Sequence, residues 1–246
     1  MKGINFRSIL LVVFFMLTLL SCSWDEERRL EKTYIVITFD DQHSSIYDVA
    51  LPIMQQHGFR ATNAINTNRI GRTGNLTWQQ VEELEFSFSW ENAGHTLNHA
   101  NLPDCTDDEA LYEIEQDWLN LKERGLSHET FVLPRGHATE RDYLIIKQFY
   151  KNIRNSIDSR MYYPIDRWHI GYFPYLTHFT AQDAITRISE GILNKEALIV
   201  IGFHRFNDPD HTHSCTEEDL MTILQFIQNQ NLPVTTLKEA AELLRK

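Results

Sequence analysis

Positive charge is scarce in this chain of 246 residues, where 23 lysines and arginines stand against 34 aspartates and glutamates for a formal net charge of -11. Such a surface repels phosphate, which disfavours nucleic acid and anionic lipid headgroups as electrostatic partners and leaves neutral sugar polymers compatible. Internal repeats and low-complexity tracts are absent. With 11% aromatic and 42% hydrophobic residues, the composition excludes intrinsic disorder outside the termini. Cysteine is limited to Cys22, Cys105 and Cys215. The apolar stretch Ile9 to Leu20 is too short to rest in a bilayer as a permanent spanning helix. The length suits one α/β domain with a substantial core and is too small for two large domains and a linker.

What the chain does have is a buried-strand signature ending in acid. The run Tyr34-Ile35-Val36-Ile37 is apolar and β-branched, and Thr38-Phe39-Asp40-Asp41 closes it with two adjacent carboxylates. Acidic residues at the C-terminal end of a strand buried on both faces stand where α/β folds place their chemistry. Neighbouring carboxylates repel each other, and a bound cation is the simplest way to keep both ionised.

Further ligands follow at His95-Thr96-Leu97-Asn98-His99. Histidines at i and i+4 share one side of a helical turn and can grip a single cation with an upstream carboxylate as third ligand, a donor set that favours zinc or a similar metal. The alternative is a pair of loop histidines bonded to backbone. Upstream, Phe86-Ser87-Phe88-Ser89-Trp90 alternates like a strand and Gly94 supplies a flexible backbone, so this pair also follows a strand.

Strand-like runs recur near 34–39, 60–65, 86–94, 130–133, 197–203 and 233–236, separated by helix-like segments. The clearest helix has Thr106 as its N-cap, Glu109 three residues on, and Leu111, Ile114, Trp118 and Leu121 on one face. This alternation argues for βα units around a parallel sheet, closed or nearly so. Residues 151–180, crowded with Tyr162, Tyr163, Trp168, Tyr172, Phe173 and Tyr175, show little regular period.

The order Thr38-Phe39-Asp40-Asp41, His95-Thr96-x-x-His99, Pro134-Arg135-Gly136 and Leu198-Ile199-Val200-Ile201-Gly202-Phe203-His204 resembles the polysaccharide deacetylase family, the NodB-homology carbohydrate esterases. The resemblance runs from about Tyr34 to the C-terminus, where Pro233 to Ala240 looks like the family's last strand and helix. It implies a distorted (β/α) barrel, often seven-stranded. It further implies Asp40 as general base, Asp41, His95 and His99 as ligands of a divalent metal (most plausibly Zn2+), and His204 as general acid. Pro134, Arg135 and Gly136 would form the substrate and oxyanion loop. On residue chemistry alone, the alternative for His204 is a core histidine bonded to backbone, the lesser reading for an imidazole at the end of so apolar a strand.

Two positions depart from the family pattern. The arginine that braces the base two residues before the proline is Val132 here, with Arg135 after the proline instead, and Gln42 stands where glycine commonly follows the aspartates. Gln42 is expected to narrow the mouth of the site or add a sugar contact. The acidic residue that tunes the acid histidine falls to Asp158 or Asp166, each otherwise a surface carboxylate. Trp168 and Tyr172 either stack on sugar rings or pack against the barrel. The loop Asp208-Pro209-Asp210-His211-Thr212-His213 carries ligand-type residues but reads better as a polar rim than as a second metal site.

Residues 1–22 have the layout of a secretory signal, with Lys2 and Arg7 ahead of the apolar core, and Leu19-Leu20-Ser21-Cys22 resembles a bacterial lipobox with Cys22 as the acylated residue. Residues 23–32 read as a polar tether and 33–246 as the catalytic domain. The expectation is an exported lipoprotein, held to the bacterial envelope only through its lipid anchor. In that oxidising setting Cys105 and Cys215 are either bridged or, in the larger share, two inert thiols. The implied activity is metal-dependent removal of acetyl groups from N-acetylated sugar polymers of the peptidoglycan or poly-N-acetylglucosamine type, acting on carbon-nitrogen bonds other than peptide bonds. The alternatives are an O-acetyl polysaccharide esterase and a non-catalytic carbohydrate-binding lipoprotein on the same fold.

Overall fold

The apolar run after Thr33 becomes strand β1, Tyr34–Asp40, with all seven residues buried. A strand buried on both faces must lie inside a parallel sheet covered by helices, and the computed structural model, which describes residues 32–245, places it there. The expected export signal, the acylated Cys22 and all but the last residue of the tether lie outside the described residues.

On one side of β1 run β2 (Thr62–Ile65), β3 (Glu91–Gly94), β4 (Thr130–Val132) and β5 (Asn152–Arg154). On the other lie β6 (Phe173–Pro174) at the edge and β7 (Leu198–Phe203) next to β1. The order is β5-β4-β3-β2-β1-β7-β6, and every pairing is parallel. Two short strands, β8 (Arg205–Phe206) and β9 (Ser214–Cys215), form a separate ribbon, and β10 (Val234–Thr235) pairs with the start of β1. The chain entering β6 zips onto β5, with Asn155 N donating to the Ile170 carbonyl at 2.8 Å and Ile170 N donating to Ile153 at 3.0 Å. The sheet is therefore a curled half-barrel of seven parallel strands, the expected distorted (β/α) architecture.

The helices are α1 (Leu51–Gln56), α2 (Trp78–Phe86), α3 (Asp107–Glu123), α4 (Glu140–Ile146), α5 (Ala181–Leu193), α6 (Glu217–Asn229) and α7 (Leu237–Leu243). Thr77, Thr106, Thr139, Thr216 and Thr236 each hold extended backbone just before a helix, and each hydroxyl accepts a first-turn N–H that has no partner inside the helix. The Thr106–Glu109 start expected from the sequence is one of these.

The stretch from Phe86 to Trp90 is not a strand. Phe86 ends α2 with 62% of its surface exposed, Ser89 turns at φ 58°, and β3 begins only at Glu91. The alternation there records a helix end followed by a turn. Trp90 turns inward to stack on Phe39 with ring centroids 5.2 Å apart, and Phe203 and Phe206 close around the same ring. Removing Phe39 from this cluster would cost about 3–5 kcal/mol.

Because the strands are parallel, Asp40, Gly94, Val132, Arg154 and Phe203 all end on one face, where the chemistry gathers. The opposite end is tied by Glu91, 3% exposed, which accepts from Thr62 Oγ1 at 2.9 Å, from Lys238 N at 2.9 Å and from Thr130 Oγ1. Burial pushes its carboxyl up to about 7.

An acid whose folded value lies above its unfolded one stabilises the fold at low pH, and that contribution is lost as pH rises towards 7. Melting temperatures of the parent and Glu91→Gln, measured between pH 5 and 7.5, should diverge with rising pH, the parent falling further. Parallel curves would contradict this.

Candidate metal centre

The site begins where β1 stops abruptly. Asp41 and Gln42 adopt φ values of 71° and 45°, a left-handed conformation that swings Asp41 out of the strand. Gln42 is 1% exposed and its Oε1 accepts from Asn66 N at 2.6 Å, while Asn66 Nδ2 donates to the carbonyls of His95 and Thr96. Gln42 is thus a buried strut between the loops after β1, β2 and β3. It neither narrows the mouth of the site nor offers a sugar contact, because it is buried and off the cavity wall.

His95 and His99 meet through a loop and not through a helical turn. Thr96 and His99 have φ values of 64° and 63°, which fold five residues back on themselves. Glu113 of α3 clamps the loop by accepting from Asn98 N at 2.8 Å and Asn98 Nδ2 at 2.7 Å. Asp117, fully buried one turn further on, accepts from His95 N at 2.9 Å and Thr67 N at 3.1 Å, and burial raises its carboxyl to about 7. Gly94 is required for contact and not for flexibility, since a Cβ there would lie 2.2 Å from the Tyr150 hydroxyl and 2.8 Å from Asp117.

This scaffold brings Asp41 Oδ1 within 3.6 Å of His95 Nε2 and 3.4 Å of His99 Nε2, and the three atoms all lie within 4.8 Å of one another. The buried Asp41 Oδ1 has no hydrogen-bond partner. His95 Nδ1 bonds the Val132 carbonyl at 2.7 Å, which leaves Nε2 to face Asp41 as a lone pair. Burial raises the Asp41 carboxyl, but the His95, His204 and His99 rings outweigh it and hold it well below the usual range. Burial, assisted by the charges of His95, Arg69 and Arg135, lowers His99 to about 4. An orphaned carboxylate oxygen facing two imidazole nitrogens, which ligate once deprotonated, fits a divalent ion of the zinc type.

Beside this triad, Asp40 (3% exposed) pairs with Arg154 (1% exposed), Nη2 to Oδ2 at 2.5 Å. Arg154 lies at the end of β5 as the register partner of Val132 in β4. The guanidinium absent from position 132 is therefore present at the same level of the sheet, one strand across. Its other face stacks on Tyr172 at 3.9 Å, and Gly202 makes room, because a Cβ there would lie 2.4 Å from the Tyr172 ring. No periodicity flagged Arg154, a lone arginine in a three-residue strand within the least regular part of the chain.

His204 follows β7, with Nε2 3.9 Å from Asp40 Oδ2 and its ring 4.6 Å from that of His213, and its buried Nδ1 has no partner. Burial lowers His204 to about 4. Neither acid expected to tune it is near: Asp158 pairs with Arg187 at 2.9 Å and Asp166 with His169 at 2.7 Å.

Asp40, Asp41, His95, His99, Arg135, Gly136, Arg154, Tyr172 and His204 line one cavity of about 490 Å³. Pro134 is buried in the turn behind it, where Arg135 is held at φ 56° and Gly136 packs against Ser156. His211, Thr212 and His213 form the rim, and among the described residues only Asp41, His95 and His99 cluster as metal ligands. Trp168 packs beside α4 and under Lys147, away from the cavity. Cys105 and Cys215 are free thiols.

Residues 27–149 match the model of the family described as Polysaccharide deacetylase. The poly-beta-1,6-N-acetyl-D-glucosamine N-deacetylase of Staphylococcus epidermidis is 31% identical over 78 residues, 30% of this chain and 27% of that protein. The matches to curated relatives span only 27% to 32% of those proteins' lengths. The Xyl-CE4 domain of a multidomain xylanase from the hindgut metagenome of Trinervitermes trinervoides superposes with a TM-score of 0.61 at 18% identity, covering 86% of this chain and 90% of that one. A family 4 acetyl xylan esterase from Clostridium thermocellum, in complex with a cobalt ion, gives 0.60 at 14% identity, covering 85% and 91%. At these identities the solved structures establish a shared fold.

Elemental analysis of purified protein should find about one divalent ion per chain, and His95→Ala should lose it. Equal metal in variant and parent would refute the ligand set. Arg154→Met leaves Asp40 buried and unpaired, which should destabilise the protein by about 3–5 kcal/mol in denaturant unfolding, with Arg154→Lys recovering part of the loss. Equal stabilities would show that the pair contributes nothing.

Proposed function

The chain belongs to the polysaccharide deacetylase family, and on that premise we propose that it hydrolyses acetyl groups from N-acetylated sugar polymers of the peptidoglycan or poly-N-acetylglucosamine type. The observation that carries this reading is the convergence of an arginine-held Asp40, the Asp41–His95–His99 triad and His204 on one cavity.

Asp41, His95 and His99 would hold a divalent ion of the zinc type, which would supply Lewis acidity towards an acyl carbonyl and towards water. Asp40 takes the proton of the water whose oxygen attacks the acetyl carbon. Arg154 fixes one Asp40 oxygen, so Oδ1, buried without a partner, is the oxygen left to receive that proton. Pro134 has no N–H and Gly136 N donates to the Leu133 carbonyl at 3.2 Å, so backbone support for the oxyanion falls to Arg135. As the carbon-nitrogen bond breaks, the proton taken up by Asp40 passes through His204, whose Nε2 stands 3.9 Å from Asp40 Oδ2, to the leaving nitrogen, and acetate and a free amine result.

Two features that would favour a non-catalytic scaffold have counterparts in the fold. Arg154 stands in for the arginine missing at position 132, and Gln42 is an internal strut. Export and acylation at Cys22 belong to the same proposal, resting on the sequence layout of residues 1–22.

Metal-loaded protein should release acetate from chito-oligomers, and Asp40→Asn should keep its metal while losing about 10²–10⁴-fold in kcat. Acetate from acetylated xylan alone would make it an O-acetyl esterase. Glycan binding without acetate from either would make it a binding protein.

A further inference from the structure

We propose that the cavity selects glycans carrying a carboxylate next to the acetylated sugar, with Arg135 as the residue that reads it. This rests on the deacetylase reading and names its substrate class.

The cavity wall does not share the acidic excess of the chain. In a protein with a formal net charge of -11, the only carboxylates on the wall are Asp40 and Asp41, and both are committed, one to Arg154 and the other between two imidazoles. Against them stand Arg154 and Arg135 on the wall, with His211 and His213 on the rim.

Eight of the twelve described arginines pair with a carboxylate, and of the four that do not, Arg69, Arg72, Arg135 and Arg167, only Arg135 lines the cavity. An ion in the triad adds to the same sign.

Arg135 is also held in place at a cost. A non-glycine residue at φ 56° is strained, and the turn is kept by Gly136, where a Cβ would lie 1.4 Å from Ser156 Oγ. The result is an exposed, unpaired guanidinium at the mouth of an otherwise committed site. A carboxylate is the planar anion that its fork of donors matches. The free amine left after each turnover carries the repelled sign, so a partly deacetylated polymer should be a poor substrate.

Three tetrasaccharides separate the possibilities: a hyaluronan type alternating N-acetylglucosamine with glucuronate, the neutral N-acetylglucosamine tetramer, and its half-deacetylated, cationic form. With metal-loaded full chain at low salt, kcat/KM should fall in that order, about tenfold from the first to the second. The ratio should shrink at 0.5 M NaCl as screening sets in. Arg135→Gln should lower kcat/KM on the acidic tetramer about tenfold more than on the neutral one, and calorimetry on metal-free protein should show the same ranking in Kd. Equal rates on acidic and neutral tetramers, or an equal loss on both in Arg135→Gln, would overturn this inference and leave the deacetylase reading standing. No acetate from any tetramer or from acetylated xylan would overturn both.

Discussion

The ion pair between Asp40 and Arg154 is possible only because the sheet curls. β5 lies four strands from β1, and at about 4.8 Å between neighbouring strands a flat sheet would hold the two residues roughly 19 Å apart, beyond the reach of both side chains. Their 2.5 Å contact therefore reports closure of the barrel at the level of the site. Burying two charges is costly unless each faces the other, so the pair also penalises any opening of the sheet. Tyr172, stacked on the guanidinium, and Gly202, which admits Tyr172, belong to the same constraint.

Around that pair the backbone departs repeatedly from ordinary conformations. Asp41, Gln42, Thr96, His99 and Arg135 all lie at positive φ, each at an energetic cost. The structure offsets these costs through struts that lie off the cavity wall: Gln42 with Asn66 and Asp117 with the amides of Thr67 and His95, all buried, and Glu113 with Asn98, half-buried. The consequence is a rigid arrangement in which two imidazoles and a carboxylate face one point, with little reorganisation left for a bound ion or substrate to induce.

The strands that carry Asp40, His95, Pro134 and His204 were legible because each ends in a residue type with few structural uses at that position, and because parallel βα order sends all such ends to one face. The HxxxH spacing pointed to two histidines that the fold does bring together, but by another geometry, since helical periodicity stood in for a loop folded through two left-handed residues. Phe86 to Trp90 mimicked a strand because an exposed helix end and an inward tryptophan happen to alternate. Arg154 was opaque: its role depends on register with Val132 across β4 and β5, a tertiary relation that neither three-residue strand announces. Asp117 carries no signal of its own in the sequence, and only burial against the amides of two loops gives it a structural task.

The acidic excess of the whole chain is not shared by its site, where two arginines face two aspartates, so net charge predicts what the surface repels and says little about what the cavity holds. The central claim is the convergence of three distant ligands on one ion beside an arginine-held aspartate. Anomalous diffraction from crystals grown with zinc tests it most directly. The account predicts a single strong peak bounded by Asp41 Oδ1, His95 Nε2 and His99 Nε2, with Asp40 still paired to Arg154. No peak there, or one displaced to His211 and His213, would contradict it.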